Sequence, residues 1–167
     1  FAVSLVLQGK LRDARALLEE SIAVSKRPKS PDMAATYVNL ALVLTDLGDN
    51  AKAESYYQLA SSILPETHSD YQKVLFSLGR FYRTKKRWAE SAEMYLKAAE
   101  AVERTIGVDG YQYALIAYEY LELPRKVVKK DRVKVTKRAA EMALRAHERD
   151  ERRPSAVDYQ DLIRAYK

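Results

Sequence analysis

Apolar and small residues recur along this chain at intervals of three and four, the spacing that keeps them in one stripe on a helix. Tyr37, Leu40, Ala41 and Leu44 form one such stripe; Gly48 interrupts it, and Ala53, Tyr57 and Ala60 resume it before Pro65. Leu75, Leu78, Gly79 and Tyr82, followed by Ser91, Tyr95 and Ala98, repeat the same spacing. Phe1, Ala2, Leu5, Gly9, Ala14, Leu18 and Ser21 carry it backwards, cut short at the start. Ala41 and Gly79 lie 38 residues apart, and Ala14, Ala53 and Ser91 follow at steps of 39 and 38. A unit of this length holds two helices, so the pattern predicts helical hairpins that stack to bury a face none could bury alone.

The punctuation agrees with the stripes. A small residue on each helix (Ala41 or Gly79 on the first, Ala53 or Ser91 on the second) lets two backbones approach, and Tyr57 or Tyr95 fills the space beside the contact. Gly48 stands where a first helix needs a left-handed residue, and Asp49 can cap the helix that follows. Pro65 stops a second helix. Ser30-Pro31 and the capping-box spacings Ser69…Gln72 and Ser155…Asp158 open new first helices.

The units read as residues 1–28, truncated at the start, then 30–66, 69–106 and 110–150, with a terminal or capping helix at 154–167. The fourth departs from the others. Tyr113, Ile116, Ala117 and Tyr120 make a good first helix, and the small residue of its partner is due near Lys129. The small cluster Ala139, Ala140, Ala143 and Ala146 begins ten residues late instead. An insertion or a lengthened second helix is therefore expected, with a basic stretch at 124–138. Ala156, Tyr159, Leu162, Ile163 and Tyr166 mark the last helix. The chain opens inside an apolar stretch at Phe1 and stops inside a helical pattern at Lys167, so it is expected to be part of a larger protein.

These motifs resemble the tetratricopeptide repeat, whose pattern is W-x2-L-G-x2-Y, then A-x3-F, then P. The matching runs are Tyr37-x2-Leu40-Ala41-x2-Leu44 and Leu75-x2-Leu78-Gly79-x2-Tyr82. The units exceed the usual length of about 34 residues, and the stretch from Ser30 to Ala41 is similar to the longer repeats of kinesin light chain. The resemblance implies an all-α, right-handed solenoid of antiparallel hairpins, a TPR-like superhelix. It also implies that the first helices line a concave groove holding a peptide or helix of a protein partner. In kinesin-light-chain-like repeats an Asn two residues before the small residue bonds the peptide backbone; Asn39 holds that place, and Ser77 and Leu115 replace it in the next two units. By register the groove takes Val38, Asn39 and Leu42, then Lys73, Phe76, Ser77, Arg80 and Arg83, then Tyr118. One end of that set is apolar and its middle is basic. It suits a partner segment with an apolar anchor followed by acidic groups, which Arg pairs well.

Composition then excludes several classes. In 167 residues there are five Gly, five Pro and no Cys, so the chain is helix-rich and has no disulfide, thiolate metal site or cysteine nucleophile. No run of about 18 apolar residues is present to span a membrane. His68 and His147 are isolated, and no phosphate loop, nucleophile elbow or HExxH occurs. No catalytic residue, metal ligand or cofactor site is assigned, and an enzyme is not expected. Half of the twelve tyrosines (Tyr37, Tyr57, Tyr82, Tyr95, Tyr113 and Tyr120) fall on packing positions; Tyr118 lies off the core stripe.

Charge is concentrated. Arg125, Lys126, Lys129, Lys130, Arg132, Lys134, Lys137 and Arg138 face the single acid Asp131, a net +7 where the whole chain carries +6. Such a patch can contact nucleic acid, anionic lipid or an acidic protein. No aromatic stands among these residues to stack on a base, and Val127, Val128, Val133 and Val135 interleave instead. That composition favours a solvated, lysine-rich insertion. Three functions stay open: a protein-binding scaffold or adaptor, a nucleic-acid-associated factor using residues 125–138, and a regulatory domain of a larger multidomain protein. No residue fixes the compartment, and an intracellular one is favoured.

Overall fold

The structure, a computed structural model, describes residues 10–104 and 110–149. The stripe expected at Phe1–Gly9 and the helix expected at 154–167 lie outside these. In chain order the helices are α1 (Leu11–Ala23), α2 (Ala34–Asp46), α3 (Asn50–Ile63), α4 (Tyr71–Thr84), α5 (Trp88–Arg104), α6 (Gly110–Leu121), α7 (Arg125–Val128) and α8 (Arg132–Arg149). A 3₁₀ turn at Pro31–Met33 leads into α2. Every element among the described residues is helical, as the periodicity predicts.

The chain divides into two compact units, residues 1–81 and 82–167. In the first, α1 packs on α2 and α2 on α3. The predicted stripe is the core: Tyr37, Leu40, Ala41, Leu44, Ala53, Tyr57 and Ala60 are all buried. Ala41 and Ala53 are fully buried, and Tyr57 reaches Phe81 of α4 at 5.4 Å between ring centroids. Tyr37 stacks on Tyr56 at 5.8 Å, and its hydroxyl donates to the Pro28 carbonyl at 2.6 Å, tying down the segment between α1 and α2. Ala34 and Tyr37 share a buried cluster with Ala60, Leu64 and Val74, which seats α4 beside α2.

In the second unit α5 packs on α6, α6 packs on α8, and the short α7 lies against α5 and α6. Tyr82, Ser91, Tyr95, Ala98, Tyr113, Ile116, Ala117 and Tyr120 are buried, again the predicted set. The extra residues of the last hairpin form α7 and the first turns of α8. They are not merely a solvated insertion, because Val128 and Val135 are buried and hold both segments against the core. Ala139, the first of the late small residues, is buried on α8.

The turns repeat as faithfully as the stripes. Gly48 has φ +84°, and Lys86, 38 residues later, has φ +59°. In both turns the next N–H returns five residues, Asp49 to the Leu44 carbonyl and Arg87 to the Tyr82 carbonyl, each at 2.9 Å. These are two copies of the same C-terminal cap, one built with the residue that tolerates a left-handed backbone and one without it. Lys86→Gly is therefore expected to raise stability by about 1 kcal/mol, read as a shift in the denaturation midpoint at constant slope. Asp49 also caps α3, its carboxylate accepting from the Lys52 N–H at 3.4 Å.

Burial pushes the phenols of Tyr57 and Tyr113 up to about 12 from an ordinary 10.0. The fold thus favours the neutral form of both. Their contribution is complete below pH 10.0 and is lost as pH rises toward about 12. Unfolding free energy should fall through that window in an alkaline titration, and a Tyr57→Phe/Tyr113→Phe variant should lose much of the slope.

Candidate binding face

Beside the core stripe of α2, a second stripe holds Ala35, Val38, Asn39, Leu42 and Thr45. They sit at the same helical spacing on another face. Leu42 is 46% exposed, a large apolar side chain without a core to enter, and Val38 and Asn39 are half-buried beside it. On α4 the corresponding stripe is Lys73, Phe76, Ser77 and Arg80, with Phe76 and Ser77 half-buried and Lys73 and Arg80 exposed.

The polar groups on this face differ in how they are used. The Thr45 hydroxyl donates to the Ala41 carbonyl at 2.8 Å and the Ser77 hydroxyl to the Lys73 carbonyl at 2.9 Å, so both are spent on their own helices. Lys73 Nζ pairs with Asp70 at 2.8 Å, a bond that draws the carboxyl below its usual range. The Asn39 amide makes no hydrogen bond among the described residues. An amide offers both donors and an acceptor, so Asn39 can bond the N–H and C=O of an added backbone.

The second unit holds the other two residues assigned to the groove by sequence. Tyr118 is 45% exposed on α6. Arg83 is committed rather than open: its Nη1 lies 2.6 Å from an oxygen of Glu119, whose side chain is only 15% exposed. The Tyr95 hydroxyl reaches the same carboxylate at 3.5 Å. Sequence reasoning missed Glu119, although a signal existed: it is the only charged residue in α6, and a lone charge on a mostly buried helix needs a partner.

The basic stretch also sorts into two classes. Arg132 donates to the Leu121 carbonyl at 3.3 Å, and Arg138 bridges Glu103 at 2.7 Å and Glu141 at 3.2 Å. Those two cations face their own protein. Arg125, Lys126, Lys129, Lys130, Lys134 and Lys137 are exposed. Lys134, Lys137 and Arg138 line a cleft of about 410 Å³ between α5 and α8, together with Glu100, Glu103 and Glu141. His68 accepts from the Asp70 N–H through Nδ1 at 3.1 Å, within its own loop. Among the described residues no group of three or more His, Cys, Asp or Glu is placed to hold a metal ion, and no helix is long and apolar enough to cross a membrane.

Two tetratricopeptide-repeat family models match the chain, one over residues 1–66 and one over residues 74–105. Among solved structures it is similar to the nearly identical TPR-like repeats of a kinesin light chain-type protein from Podosopora anserina. One of these structures has a TM-score of 0.73 at 20% identity, with 99% of this chain and 81% of that one covered. A second has a TM-score of 0.60 at 17% identity, covering 99% and 89%. At such identities the likeness is one of fold. A search of curated proteins returns no match.

Proposed function

We propose that this chain, which belongs to the tetratricopeptide-repeat family, is a non-catalytic adaptor that binds a segment of a protein partner on the first-helix face of its first unit. The observation that carries the reading is the pairing on α2 of a half-buried amide without an internal partner, Asn39, with an exposed leucine, Leu42. Neither is explained by the fold. An extended segment would place main-chain groups on Asn39 and an apolar side chain over Val38, Leu42 and Phe76. Acidic residues of the segment would lie toward Lys73 and Arg80. A helix-like ligand would use the same apolar positions and make less use of the amide.

The test is a nuclease-treated pull-down with the wild type, an Asn39→Ala/Arg80→Glu variant and a variant with Lys126, Lys129 and Lys130 neutralised. Arg83 is left intact because reversing it would break its pair with Glu119. The reading expects a protein partner retained by the wild type and the lysine variant, and lost at least tenfold from the Asn39/Arg80 variant. Loss confined to the lysine variant would move the protein-binding site to the basic stretch. Partners that vanish on nuclease treatment would make nucleic acid the leading reading.

A further inference from the structure

We propose that the α7 end of the second unit is a docking surface for an anionic lipid bilayer, a role separate from partner binding on the first unit. Of the eight cations between Arg125 and Arg138, two are turned onto the protein and two stand at the rim of the acid-lined cleft. The remaining four, Arg125, Lys126, Lys129 and Lys130, are exposed and make no ion pair or hydrogen bond among the described residues. The nearest acids in sequence are exposed Glu122 for Arg125 and Lys126, and Asp131, half-buried on the cleft side, for Lys129 and Lys130; neither pairs with them. Some surface cations are offset within their own helix or turn: Lys52, Lys73, Arg87 and Lys97 each hold an acid three or four residues away, whereas exposed Lys26, Arg27 and Lys29 do not. The four like charges on α7 and the following turn repel one another, and no ion pair offsets them. An anionic partner would.

Three features select a bilayer among anionic partners. The cluster is mainly lysine, a compact charge without the planar fork that reads a carboxylate or a guanine edge. No aromatic side chain stands among the cations to stack on a base. Val133, on the first turn of α8 and three residues after Lys130, is 71% exposed, the most open large apolar side chain in the second unit among the described residues. A phosphate backbone has no use for that side chain, whereas the boundary between headgroups and acyl chains does. Buried Val128 and Val135 anchor the segments on either side of the turn, so the charges are presented on a fixed frame.

The test is co-sedimentation with phosphatidylcholine vesicles, with and without phosphatidylserine, beside fluorescence anisotropy with a short DNA duplex. The chain should sediment with the serine-containing vesicles only, and high salt should release it. Lys126→Glu/Lys129→Glu/Lys130→Glu should weaken vesicle binding at least tenfold with an unchanged circular-dichroism spectrum. Val133→Ser should weaken it several-fold, although the charge is intact. The proposal is overturned if the chain ignores phosphatidylserine vesicles, if the triple variant binds them as well as the wild type, or if Val133→Ser changes nothing. Binding to the duplex without binding to vesicles would overturn it in favour of nucleic acid. None of these outcomes bears on the Asn39 face.

Discussion

Replacing Tyr57 by alanine is expected to lower the unfolding free energy by about 3–5 kcal/mol. The side chain is 1% exposed and packs against Phe81 of the next helix. Removing it leaves a cavity at the point where α3 meets α4. Rigid helices on both sides limit how far the gap can close, so the cost falls at the high end for a large-to-small change. Tyr57→Phe keeps the ring and should cost far less. Urea denaturation of the three proteins checks the order, and equal midpoints for wild type and Tyr57→Ala would refute the packing described for the first unit.

The second large effect is electrostatic. Arg83→Met removes the cation and leaves the mostly buried Glu119 carboxylate without that ion pair, at an expected cost of about 1–3 kcal/mol. Adding Glu119→Met to that background removes the stranded charge and should recover most of the loss. A double-mutant cycle by urea denaturation measures this directly. A strongly positive coupling supports a structural ion pair. Additive losses would mean that Arg83 is effectively free, and would return it to the set of ligand-facing residues.

The fold was largely readable because a repeat tests itself. The spacing from Tyr37 to Ala60 recurs from Leu75 to Ala98, and two copies of one stripe are much harder to produce by chance than one. What escaped were interactions between residues far apart in sequence that no local spacing encodes. Arg83 and Glu119 are 36 positions apart, and Arg138 and Glu103 are 35 apart. In the basic stretch, sequence identifies the charges but cannot say which of them turn inward; that depends on how α8 is rotated against α6. Lys86 was hidden for the opposite reason. Its left-handed backbone belongs to the turn, and lysine gives no sign of it, while Gly48 announces the same position openly. For the candidate face, Leu42 and Asn39 could be placed by register, but the distinction between the spent hydroxyls of Thr45 and Ser77 and the unused Asn39 amide required the hydrogen bonds themselves.

Site-specific photo-crosslinking tests whether a partner segment lies on the α2 face of the first unit. One photoreactive residue replaces Leu42 on that face, and another replaces Gln58, which is exposed on α3. Position 42 should crosslink to one contiguous segment of a protein partner, competed by that segment as a free peptide, with position 58 silent. Crosslinks from position 58 with none from position 42 would contradict it and place the interface on the second helices.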